Sequence, residues 1–143
     1  MWQSFYGGRL GLTSITLNDK ILWMRRLLTE HFSKWASKQN ISFKELIKVF
    51  EEVESGNFEA RLGGNIYKKR IRIQGRGKRG GYRIIVCYKR EDRAIFIHGF
   101  AKNEKSNLSP KEINVFRELS KILLHLTHEK LSIAVKNGAF IEV

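Results

Sequence analysis

The sequence predicts an α+β domain: a small antiparallel β-sheet with an N-terminal helical hairpin and C-terminal helices, the helices packed on one face. Three observations carry this reading. Apolar residues recur at helical spacing before residue 57, the period changes to two between residues 66 and 100, and a capping signature reopens helix at residue 109. At 143 residues the chain fits one domain with one core, and its 42% apolar and 11% aromatic content excludes a disordered chain.

The first 26 residues, 1-MWQSFYGGRLGLTSITLNDKILWMRR-26, are set apart as an N-terminal extension to a single domain at 27–143. No early cationic segment precedes a clean apolar stretch, so a signal peptide is not indicated. An extra strand, a disordered arm and translation from an upstream start, with Met24 as the native initiator, all stay open. Leu27, Leu28, Phe32 and Trp35 then recur at helical spacing and predict a first helix up to Lys38-Gln39-Asn40. The next segment, 42-SFKELIKVFEEVESG-56, opens with Ser42 and Glu45 at capping-box spacing and closes on Gly56. Phe43, Leu46, Ile47, Val49, Phe50 and Val53 form its apolar stripe.

In 66-IYKKRIRIQ-74 the residues alternate, which puts Lys68, Arg70 and Arg72 on one strand face and Tyr67, Ile71 and Ile73 on the other. The β-branched and aromatic 82-YRIIVCYK-89 and the apolar 94-AIFIHGF-100 predict two more strands, turned by Glu91-Asp92 into an antiparallel meander. Ser109 as N-cap, Pro110 as first helical residue and Glu112 closing a capping box start a third helix through Phe116, Leu119, Ile122 and Leu123. A last helix runs from near Thr127 to Asn137-Gly138, and 139-AFIEV-143 reads as an edge strand.

The formal charge is +13, and Arg61–Arg93 holds twelve of the 27 Lys and Arg against only Glu91 and Asp92. A basic block of this kind is the electrostatic footprint of a nucleic-acid surface. The row Lys68, Arg70, Arg72 lacks interleaved acids and abuts Arg83; unpaired clustered cations repel, which points to a polyanionic partner. Cys87 is the only cysteine, so no internal disulfide or cysteine-based zinc site exists; it reads as a small core residue, reduced in the cytoplasm. No apolar run approaches ~20 residues, so no membrane span is expected.

Gly75, Gly77 and Gly80 spell G-x-G-x-x-G, but a strand follows them where a dinucleotide fold needs a helix. Lys78 is followed by Arg79 rather than Ser or Thr, which excludes a P-loop. The stretch is a strand–loop–strand hairpin whose glycines let Arg76, Lys78 and Arg79 approach phosphates. Cleavage of RNA by a ribose 2′-OH requires removing its proton, stabilising the phosphorane charge and protonating the 5′ oxygen. Clustered cations can supply the second, and a lysine depressed by neighbouring positive charge the first. His98 is either an acid–base group or a satisfied core histidine. His125 and His128 form an H-x-x-H without an evident carboxylate partner and read as helix-end surface residues; no metal and no cofactor are expected.

The stretches 65-NIYKKRIRIQGRGKRGGYRIIV-86, 98-HGFAKNEKSNLSPKE-112 and 137-NGAFIEV-143 together resemble the RelE/HigB-type toxins of bacterial type II toxin–antitoxin systems. The likeness is to the branch with a G-x-G-K-x-G-G-Y-R hairpin and a G-F-A-K-N-E strand end, and it covers Leu27 to Val143. The resemblance implies a RelE-like fold and a cytoplasmic, ribosome-dependent endoribonuclease that cuts mRNA without a metal. It matches the family's basic strand to Lys68, Arg70 and Arg72, its G-Y-R arginine to Arg83, and its end-of-sheet basic position to Lys102 or Asn103. Some relatives carry a tyrosine after this strand; here the region reads 105-KSNLS-109, so the acid–base role falls to Lys68, Arg70 or His98, with Lys102 assisting. Lys69, Arg76, Lys78, Arg79, Asn103 and Lys105 would grip RNA. The implied partners are the ribosome, mRNA and a cognate antitoxin, expected to be a helix-turn-helix protein. A toxin of the same fold that binds a protein target, as ParE-like relatives inhibit DNA gyrase, and a non-catalytic RNA-binding module are the alternatives.

Overall fold

A computed structural model of the chain describes residues 14–17, 20–72, 81–105 and 107–143. Strands β1 (Ser14–Leu17) and β2 (Lys20–Trp23) pair with each other as a separate antiparallel sheet. The next element departs from the helical reading. Arg25–Thr29 is a strand, β3, and helix α1 starts only at Glu30, running to Lys38. Leu27 and Leu28 are both buried but belong to different cores, one on each face of the sheet. A strand buried on both faces shows no alternation, and its leucines happen to extend the Phe32–Trp35 spacing, which disguised it as helix.

Helix α2 (Phe43–Glu54) carries the expected capping box between Ser42 and Glu45. Strand β4 (Ala60–Gly63), unforeseen in the sequence, turns into β5 (Ile66–Ile71). Strands β6 (Tyr82–Lys89) and β7 (Arg93–Ala101) complete the meander with β5. Helices α3 (Pro110–His125) and α4 (His128–Lys136) follow, α3 with the capping box of Ser109 and Glu112, and β8 (Phe140–Glu142) ends the chain as an edge strand. The expected strand at 66–74 reaches Ile71; residues 73–80, which hold Arg76, Lys78 and Arg79, lie outside the described residues.

The six-stranded sheet has the order β4-β5-β6-β7-β3-β8. Its one parallel pair is β3 with β7, so it is not wholly antiparallel as expected. Nor do all helices share a face. Phe32 of α1 and Leu46, Val49, Phe50 and Val53 of α2 pack with Leu28, Ile84, Val86 and Phe96; Leu123 of α3 and Leu131 and Val135 of α4 pack with Leu27, Ile85, Cys87 and Ile95. The wholly apolar run Ile84–Cys87 is buried throughout because helices cover it from both sides. Among the described residues no helix is long and apolar enough to cross a membrane.

Candidate functional site

The register brings the basic residues together at one end of the sheet. Arg70 faces Arg83 across the β5–β6 ladder, and Lys68 faces Ile85. Cross-strand partners share a face, so Lys68, Arg70 and Arg83 form one cluster on the side of α3. Lys69 points the opposite way, where its ammonium lies 2.9 Å from Glu52 of α2. Lys102 joins the cluster's end of the sheet through its backbone N–H, which donates to Gly81 O at 3.1 Å. Gly81 is required there: its φ is +64° and a Cβ would stand 2.3 Å from Ile71 O. Asn103 is exposed beside it.

The row of cations is not free of acids, contrary to the sequence reading. Glu59, just before β4, reaches in from the sheet edge. Its Oε1 accepts from Arg83 Nε at 2.8 Å and lies 3.8 Å from Lys68 Nζ. Its own backbone N–H donates to Lys68 O at 2.8 Å, which fixes it in the ladder. The Arg83 side chain is 5% exposed and that of Lys68 14%, so neither is the solvated surface cation that an alternating strand suggests. Burying a guanidinium requires a counter-charge, and Glu59 supplies it. Arg70 and Arg72 remain exposed, and no ion pair ties them to an acid among the described residues. They line an open groove of about 600 Å³ with Phe58, Glu59 and, from α2, Val49 and Glu52.

The loop after β7 is tied to the same cluster. Lys68 Nζ donates to Asn107 Oδ1 at 3.2 Å, and Lys105 binds Glu112 in the first turn of α3 at 2.8 Å. Lys105 and the Ser109 N–H hold the Glu112 carboxyl down to about 2. His98 lies in the row of Lys68, with Ile85 between them. Its Nδ1 is 3.1 Å from Nε2 of His31, at the start of α1. The rings are nearly parallel, at 7°, with centroids 5.3 Å apart, an edge-to-edge hydrogen bond in which one imidazole donates and the other accepts. Burial first, then His31, pushes His98 below its ordinary value, Glu112 opposing. His125 and His128 lie elsewhere. His128 has a carboxylate neighbour after all, Asp92 at 3.3 Å, supplied by the β6–β7 turn.

Glu59, Glu52, His31 and Asn107 escaped the sequence reading. One signal could have found Glu59: Gly63-Gly64-Asn65 is a turn, so 60–63 should pair with the basic strand and carry Glu59 alongside it. The family model for the RelE toxin of the RelE / RelB toxin-antitoxin system matches residues 24–143, the whole six-stranded domain with both helical layers. The chain belongs to the RelE toxin family. No curated protein matches it significantly. Membership implies an antitoxin partner for this RelE-family toxin, and β1 and β2 fall before the matched region.

Proposed function

We propose that this RelE-family chain is the toxin of a type II toxin–antitoxin pair and acts as a ribosome-dependent endoribonuclease, cutting mRNA in the cytoplasm by attack of a ribose 2′-OH on its neighbouring phosphate. The observation that carries the reading is the convergence of Lys68, Arg70 and Arg83 on one face of β5 and β6, with Arg72 and Lys102 at the same sheet end. Arg70, Arg72 and Arg83 stabilise the charge of the phosphorane. The 2′-OH gives up its proton, the phosphorus–5′-oxygen bond breaks, and that oxygen takes a proton, with Lys68 and Lys102 assisting the transfers. The products are a 2′,3′-cyclic phosphate and a 5′-hydroxyl. Burial lowers the pKa of His98, which lies one row from Arg83 and serves as a candidate proton acceptor. A helix-turn-helix antitoxin neutralises the toxin by covering this end of the sheet or by holding it away from the ribosome.

Primer extension on mRNA after induction tests the reading. Wild-type toxin is expected to give discrete ends within translated messages, lost in Arg70→Ala and Arg83→Ala. Growth arrest with intact messages would sink the nuclease and favour a protein target; signatures of DNA damage would identify gyrase-directed action.

A further inference from the structure

We infer that Glu59 is an internal counter-anion: in the free toxin its carboxylate occupies, at Lys68 and Arg83, the place that a phosphate of single-stranded RNA takes on binding. The inference rests on the reading of these cations as an RNA-phosphate site and adds what holds the site before RNA arrives. A carboxylate and a phosphate present similar oxygen pairs to a guanidinium, so one can replace the other. The burial of the trio gives the exchange a direction. Arg83 and Lys68 are 5% and 14% exposed, whereas Glu59 is 30% exposed, so the acid is the member with a route to water. Glu59 also lines the groove beside Arg70 and Arg72. Arg70 faces Arg83 across the β5–β6 ladder, so a phosphate drawn to that pair competes with the Glu59 carboxylate that bonds Arg83 and lies beside Lys68. Burying a guanidinium calls for a counter-charge, a place that Glu59 fills in the free protein and a phosphate would fill in the bound one.

Glu52 provides an internal control. It lines the same groove and pairs with Lys69, but on the other face of the sheet. Glu52→Gln therefore changes the net charge as Glu59→Gln does without vacating the phosphate position. The full chain is titrated, at several salt concentrations, against a short single-stranded 2′-O-methyl RNA that cannot be cut, with fluorescence anisotropy as readout. Gln keeps an oxygen for Arg83 Nε while removing the charge. Glu59→Gln is expected to bind roughly five- to tenfold more tightly, with the log–log salt slope steeper by about 0.7 for one added phosphate contact. Glu52→Gln is expected to change affinity by less than about twofold. Equal tightening in both variants, or none in Glu59→Gln, overturns the inference. Should Glu59→Gln fail to fold by thermal denaturation, the wild type decides: the Arg83 Nε–H resonance shifts on RNA addition if Glu59 is displaced, and stays in place if it is not. Wild-type binding that is indifferent to Lys68→Ala removes the phosphate-site reading and the inference together. Binding that needs Lys68 but ignores Glu59 removes the inference alone.

Discussion

Glu112 closes two contacts at the entrance of α3, taking the Lys105 ammonium and the Ser109 N–H, and together they hold it down to about 2 from an ordinary 4.5. Because the folded value is depressed, this contribution is full above about pH 4.5 and disappears as the pH falls toward 2. The protection of amides in the first turn of α3, taken relative to their intrinsic exchange rates, is expected to fall through that window, and Glu112→Gln to show the lowered protection at neutral pH as well. His98 behaves alike at a higher pH. Its folded value lies below 6.5, so the unfolded chain takes up the proton first, and stability falls as the pH drops below about 6.5. Thermal melts at about pH 7.5 and about pH 5.5 should differ in the wild type and converge in His98→Gln. Cys87, a core residue as the sequence indicated, is raised to about 11 by burial and should resist thiol reagents until the protein unfolds. Capping residues are legible at this scale because both halves of a capping box lie within one turn. Glu59 and His31 were not, since their partners lie 24 and 67 residues away.

Among the elements, α2, α3, β6 and β7 were readable because each carries its own period and its own stop signals. Strand β3 was not. Only its parallel pairing with β7 and the cover on both faces make Leu27 and Leu28 strand residues, and neither condition is written locally. The placement of α1 over β7 has a steric requirement of its own. A Cβ at Gly99 would stand 2.3 Å from the Trp35 ring, which itself packs edge-on against Tyr82. Gly99→Ala should therefore cost about 1–3 kcal/mol in urea denaturation, with partial recovery when Trp35 is also replaced by Leu. On the same side of the sheet Phe50 stacks on Phe96 with centroids 3.8 Å apart. Phe50→Ala should cost roughly 3–5 kcal/mol, as core aromatic truncations do.

At the scale of the whole molecule, the described part of the basic block holds two populations that composition alone cannot separate. Lys69, Arg83 and Arg93 are buried, Lys69 on Glu52, Arg83 on Glu59, and Arg93 on Asp92 and the carbonyls of Leu123 and Leu126. Arg70 and Arg72 face solvent. Arg93→Ala should lower the thermal midpoint markedly, because it strips a buried charge network of its centre. Arg70→Ala and Arg72→Ala should leave the midpoint almost unchanged and, under the proposed function, weaken ribosome association and flatten its dependence on salt. The arrangement of β3 also bears on timing. The strand that opens the main sheet pairs with β8, at the very end of the chain, and the Val143 N–H donates to Arg26 O at 2.8 Å. The sheet cannot close over this edge of β3 until the residues of β8 have been synthesised and have reached it. Nascent chains stalled before Phe140 should be digested by a protease that spares chains in which β8 has emerged, so the first strand of the sheet waits for its last before it is protected.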